Sequence, residues 1–247
     1  QHVYDQHDIT TATKLLALEI LDGFLVRGYS NCSADERVQL RQTVLQSAQA
    51  PLNRVLGRKI AVILEGLIIR DFPQRWTTLA DDLFRNLWHS GGMKVILEAF
   101  TLVAEDCTDS DFNAKISTTR RNDVLKGLNE ISSSFLPLFF QLLQSQYSNL
   151  QQSRSSLFQM HSYLLSGNRT IHSMNDDERA AYQIEKRQLE ESTLLLTDAL
   201  ATLEKFCATL PVNWMLGAGG DQSDFVAAFL HLLRDPALQV PALGCLD

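Results

Sequence analysis

The sequence predicts an all-α fold, an α-solenoid of antiparallel helix pairs, on three observations. Apolar residues recur at three- and four-residue steps, the stripe of helices buried along one side. Leu52, Leu56, Ile60, Ile63 and Leu67 make one such run, and Trp76, Leu79, Leu83 and Leu87 make the next. The two meet at Arg70-Asp71-Phe72-Pro73-Gln74-Arg75-Trp76, where Pro73 cannot donate a backbone hydrogen bond and pushes Phe72 out of the helical region. One helix must stop there and another restart, antiparallel to it. Strand signals are missing throughout: apolar alternation never persists, and no turn dipeptide separates two alternating runs.

The elements follow in order. A helix from Ile9 to about Tyr29 ends at Gly28. Ser33-Ala34-Asp35-Glu36 has the form of a capping box, and the helix it opens turns Leu40, Val44 and Ala48 inward, which completes a first pair. Pro51, suited to a first helical position, opens the second pair, which runs through the Phe72-Pro73 bend to about His89. Trp76 is expected in the first turn of the second helix, its ring reaching back to lock the bend. Gly91-Gly92 breaks the chain before a third pair. Met93, Ile96, Leu97, Phe100, Val103 and Ala104 line its first helix, and Val124, Leu128, Ile131, Phe135 and Leu138 a long second one that Pro137 kinks. After a polar interval, Leu196, Ala199, Leu203, Phe206 and Leu210 form the first helix of another pair, and Phe225, Phe229 and Leu232 the second. The spacing of pairs, on the order of 40 residues, is that of HEAT-type repeats in an ARM-like superhelix. Residues 1–247 read as one continuous array, with 149–175 a polar, acid-free insertion within it.

The bend carries a family resemblance. A proline, two polar residues and a tryptophan at the junction of a helix pair resemble the amino-terminal region of the exportins, members of the importin-β-like nuclear transport receptors. Leu102-Val103-Ala104-Glu105-Asp106 looks like the leucine-and-acid run that follows in those receptors. Thr119-Arg120-Arg121-Asn122-Asp123-Val124 is similar to the arginine-rich helix start of the branch that carries double-stranded RNA precursors. Phe206 to Leu210 and Val212-Asn213-Trp214-Met215 resemble a later helix end with an aromatic tucked inside its turn. The ordered set, more than any single motif, carries the resemblance.

Composition narrows the class. The chain has 247 residues, 45% hydrophobic, enough for an extended core without disulfides or metals. A net charge of -7 works against unaided binding to a polyanion. Cys32, Cys107, Cys207 and Cys245 are scattered without paired or metal-ligand spacing, as in a reducing compartment. No apolar run is long enough to cross a bilayer and no basic-then-apolar leader opens the sequence. The start at Gln1 and the stop at Asp247, just after Pro236-Ala237-Leu238 opens another helix, read as an excerpt of a longer chain.

The residues carry little chemistry. Leu216-Gly217-Ala218-Gly219-Gly220-Asp221 resembles a phosphate-cradling loop, but it follows a helix, lacks the Lys and Ser/Thr that meet phosphate and magnesium, and reads as a flexible turn. The six histidines are not spaced as ligand pairs. Glu105 and Asp106, adjacent on a helix, splay apart. No residue is assigned to catalysis, to a cofactor or to a metal. Arg70, Arg75, Arg120 and Arg121 are candidate partner-binding residues, since guanidinium groups at helix junctions fork onto carboxylates or phosphates. A structural use, Arg70 with Asp71 or Asp81 and Arg120 and Arg121 beside Asp123, stands against that. Phe72, Pro73, Trp76 and Trp214 are read as structural. From Ile131 to Asn175 there is no Asp or Glu, while Arg154 and Arg169 remain, so those two are candidates for a negatively charged partner.

What the resemblance implies is a carrier and not an enzyme, shuttling between nucleus and cytoplasm. It would bind the GTP form of Ran together with RNA or protein cargo and meet nuclear pore proteins in transit. Neither DNA binding nor membrane insertion is implied. Cargo would be double-stranded RNA such as microRNA precursors if the closer resemblance holds. A carrier of protein signals, of the exportin-1 or importin type, and a helical scaffold independent of Ran remain as alternatives.

Overall fold

The computed structural model describes residues 11–50, 52–108, 116–167, 170–207 and 225–245, and among these every regular element is helical. The described residues divide into two compact units, one up to Leu136 and one from Pro137 onward.

In the first unit, α1 (Thr11–Arg27) is followed by α2 (Ala34–Gln49). The predicted capping box is formed: the Ser33 hydroxyl accepts from the Glu36 amide, and the Glu36 carboxylate accepts from the Ser33 amide at 2.7 Å. Those bonds hold the Glu36 carboxyl below the usual carboxylate range. α3 (Arg54–Asp71) starts at an Asn53 cap, whose side chain accepts from the Leu56 amide, and it is the centre of the unit. Ile60, Ile63, Leu64, Leu67 and Ile68 are fully buried, because α1, α2, α4 and α5 all pack on α3. Burying so many branched side chains at roughly 1.5–3 kcal/mol each makes this helix the main source of the unit's stability. Lys59 ties it to α1 through Asp22 and Glu19, at 2.7 and 2.8 Å. Burial lowers the Lys59 pKa, but the hydrogen bonds to the two carboxylates outweigh it and the net shift is upward.

The bend falls where the proline placed it, with Phe72 extended and closing α3 and a cis Phe72–Pro73 bond. Trp76 is buried, but not in the first turn of the next helix: helical winding resumes at Leu79. The intervening turns exist because the Asp71 carbonyl takes both the Arg75 and the Trp76 amides, at 2.6 and 3.1 Å, which holds the indole beneath the bend. The resumed helix is wound as a π-helix over Asp81–Leu87, with the Trp88 amide bonded to the Leu83 carbonyl. It stops at Gly91, whose φ of 100° is one that favours glycine.

Next come α4 (Met93–Thr108), α5 (Thr118–Glu130) and α6 (Ser132–Ser166). Phe84, Phe100 and Phe135 meet with ring centroids 5.3–5.8 Å apart, joining the π-helix, α4 and the start of α6. The expected single long helix with a kink at Pro137 is two helices. The winding breaks at Ile131, where the Ser132 hydroxyl bonds back to Asn129, and α6 runs through Pro137.

α6 has 35 residues and α7 (Asp176–Cys207) has 32, so the interval read as a polar insertion is mostly continuous helix. Leu150, Ser153 and Leu164 are buried within it. α8 (Phe225–Leu232) and α9 (Gln239–Gly244) complete the second unit, α9 packing on both α7 and α8. The last helix begins at Gln239, three residues beyond Pro236, since Pro236–Leu238 form turns. Pro51, the Leu216–Asp221 loop, Leu210 and the side chain of Phe225 lie outside what the structure describes.

Candidate functional site

The densest cluster of charge surrounds the bend. Asp71 ends α3 with its carboxylate fully buried, and three side chains from the first helix pair converge on it. Tyr29 donates its phenol proton to Asp71 Oδ2, Arg41 Nη1 donates to the same oxygen at 2.7 Å, and Arg37 Nη1 stands 3.5 Å from Oδ1. The last contact is an ion pair without hydrogen-bond geometry, and both of its atoms are otherwise unsatisfied. Arg37 completes its fork on the Cys32 and Ser30 carbonyls and lies 4.8 Å from the centroid of the Tyr29 ring. Arg41 lies 5.3 Å from the centroid of Trp76, so cation–π attraction links the pair to the bend. Burial, then the bond to the Asp71 carboxylate, push the Tyr29 phenol well above the usual range.

Arg120, at the start of α5, grips the bend from its other side. Its Nε donates to the Ile69 carbonyl at 2.5 Å, Nη2 to the Phe72 carbonyl and Nη1 to the Gln74 side chain. It thereby satisfies carbonyls that the end of α3 leaves unpaired. Burial lowers the pKa of this guanidinium, which nonetheless stays charged. Further along α5, Gly127 gives the bend its seat. A Cβ there would stand 2.6 Å from the Phe72 ring and 3.0 Å from Pro73.

The described candidate arginines have different partners. Arg70 is exposed and folds onto its own helix at the Gly66 carbonyl, pairing with neither Asp71 nor Asp81. Asp71 belongs to Arg37 and Arg41, and Asp81 to Arg85. Arg75 is exposed, and among the described residues its guanidinium has no partner. Arg120 is committed to the main chain of the bend. Arg121 is half-buried with its Nε enclosed and unbonded, near Cys107, whose thiol is pushed up to about 12 by burial and the neighbouring Asp106. Arg154, in the second unit, forks onto buried Asp235, Nη2 to Oδ1 at 3.1 Å and Nη1 to Oδ2. Arg169 and Trp214 lie outside the described residues. Phe72 and Trp76 are buried at the bend, and Trp76 Nε1 donates to Asp82 at 2.7 Å.

Tyr29, Arg37, Arg41 and Asp71 did not stand out in the sequence. One signal was present: Arg37, Arg41, Val44 and Ala48 share the inner stripe of α2, so two arginines occupy positions that the helical period buries. The second unit also holds a recess of about 560 Å³ between α6 and α8, with Tyr147 and His231 edge-to-face across it. Among the described residues no cluster of His, Cys, Asp and Glu could hold a metal, and no helix is long and apolar enough to cross a membrane.

Comparison with known proteins agrees with this architecture. The chain is 28% identical over 161 residues to Exportin-5 of Dictyostelium discoideum, an alignment covering 61% of this chain and 14% of that protein, so the chain spans a small part of its relative's length. The model of the Exportin 1-like protein family matches residues 53–246, from the cap of α3 through the last helix, and the chain belongs to that family.

Proposed function

We propose that this chain is part of a nuclear export receptor that binds Ran in its GTP form together with cargo, passes the pore in contact with nuclear pore proteins, and shuttles between nucleus and cytoplasm without enzymatic activity. The family match over residues 53–246 is the observation that carries this reading. Ran docks on the second helices of the first two pairs, α2 and the stretch from the π-helix to His89, where Gln39, Gln42, Arg85 and His89 are exposed. Ran and cargo are coupled ligands, each raising affinity for the other. Of the six arginines, exposed Arg75 and Arg70 remain the better partner contacts, because Arg120 and Arg154 already spend their guanidinium groups inside the fold.

The likeness to Exportin-5 favours double-stranded RNA as cargo. At a net charge of -7 the segment itself lacks the counterion-releasing surface that phosphate binding needs, so duplex RNA should require Ran and the remaining repeats. A protein-cargo carrier is the second reading, favoured by the Exportin 1-like description of the family. A pull-down of the full-length receptor with GTP-locked and with GDP-bound Ran tests the proposal: retention by the GTP form alone is expected, and equal or absent retention overturns it. Adding duplex RNA or a protein signal to the GTP arm then separates the two cargoes.

A further inference from the structure

The connection between α6 and α7 carries chemistry that transport does not use. Ile171–Ser173 form a single 3₁₀ turn, and Met174 behind it is buried and anchors it. The exposed Ser173 hydroxyl donates to the Thr170 carbonyl at 2.8 Å and accepts from the Thr170 amide at 3.0 Å. Three acids follow at the third, fourth and fifth positions after it: Asp176, Asp177 and Glu178. The Asp176 carboxylate is fully exposed and Asp177 is exposed, whereas Glu178 caps the Asn175 amide at 2.9 Å. Upstream, back to Ile131, there is no acid at all. Ser173 thus stands where an acid-free interval meets a steep acidic run. Arg179 folds back over the same turn, with Nη2 3.3 Å from the Met174 carbonyl and Nη1 3.7 Å from Asp176.

We propose that Ser173 is a phosphorylation site for an acid-directed serine/threonine protein kinase. The Ser173 oxygen attacks the γ-phosphorus of ATP, its proton passes to the kinase's carboxylate base, the bond to the β-phosphate oxygen breaks, and ADP leaves. The kinase's basic subsites read Asp176 and Asp177, which are open to solvent, Asp176 with Arg179 Nη1 3.7 Å away. The product has lost the proton that Oγ donates to Thr170, so the turn opens. About −1.5 to −2 units of charge then arrive beside carboxylates that repel them. Among the described residues Arg179 is a cation held on the same turn, and it exchanges Asp176 for the phosphate, a stronger bidentate acceptor. Phosphorylation would therefore rebuild the connection between α6 and α7 and bring negative charge to the edge of the acid-free interval.

The test incubates the full-length protein with purified casein kinase II and radiolabelled ATP, and maps the modified residue by mass spectrometry. Label at Ser173 is expected, lost in Ser173→Ala and several-fold slower in Asp176→Asn/Asp177→Asn, a variant that keeps the serine and its turn. In the phosphoprotein, Arg179→Gln should raise the phosphate's titration midpoint in phosphorus NMR. Label at Ser33, the other exposed serine of this chain with an acid three residues on, and none at Ser173 would overturn the proposal. So would label at Ser173 that is indifferent to both aspartates.

Discussion

Asp71 and Asp235 are both buried carboxylates that meet arginine, one in each unit, and their surroundings differ. Around Asp71 the cations are enclosed as well: the Arg37 and Arg41 side chains are 10% exposed, and aromatic rings cover them. Arg154 opposite Asp235 is 37% exposed, so its charge stays partly in water. Desolvating both members of a pair is costly, and only the full set of bonds offsets it; a pair with one wet member costs less to form and less to break. The first arrangement is inseparable from the fold around the bend, and the second is an attachment between α6 and the turn after α8.

That contrast can be broken most severely at Asp71. Asp71→Ala leaves two arginines and a phenol buried without their acceptor, and a loss of about 3–5 kcal/mol is expected in denaturant unfolding. A loss under about 1 kcal/mol would place the Asp71 cluster with ordinary surface pairs. Gly127→Ala tests the other side of the bend. Alanine gains about 1 kcal/mol of helix propensity, yet its methyl meets the Phe72 and Pro73 rings, and overpacking of about 1–3 kcal/mol should win. A variant more stable than the parent would show that the bend yields easily.

Arg154→Ala should cost about 1 kcal/mol or less, because water can reach Asp235 once the half-exposed side chain is gone. A cost equal to that of Asp71→Ala would erase the distinction between the two sites. The smallest effect is one of pH. Tyr29 ionises at a higher pH in the folded state than its ordinary value of about 10, so its share of stability is intact below that pH and falls away as pH rises through the alkaline range. Tyrosinate absorbance titrated near pH 10 should be the same in amplitude for the parent and for Tyr29→Phe. A reduced amplitude in the variant would mean that Tyr29 ionises normally.

Helix existence was legible because the stripes of α3, α4 and α7 are long and regular, and the proline bend because Pro73 constrains the main chain whatever surrounds it. Boundaries were less so. Trp76 was placed in a helix that starts three residues later, since hydrogen bonds to the Asp71 carbonyl, invisible in any periodicity, hold the intervening turns. The Ile131 break was hidden for the same reason: Pro137 is the conspicuous residue, but the Ser132–Asn129 bond marks where the winding stops.

By itself the sequence determined the helical class, the bend, the Ser33 cap and the burial of Trp76, since each rests on neighbours along the chain or on a side chain's own hydrophobicity. Only the tertiary structure decided the partners of the arginines. A guanidinium carries the same charge on a surface, on a helix-end carbonyl or against a buried carboxylate, and what separates Arg75 from Arg120 and Arg41 is which residues 30 to 51 positions away come to face it. Pairing at that range follows from the packing of α2 and α5 on α3, which no local pattern encodes.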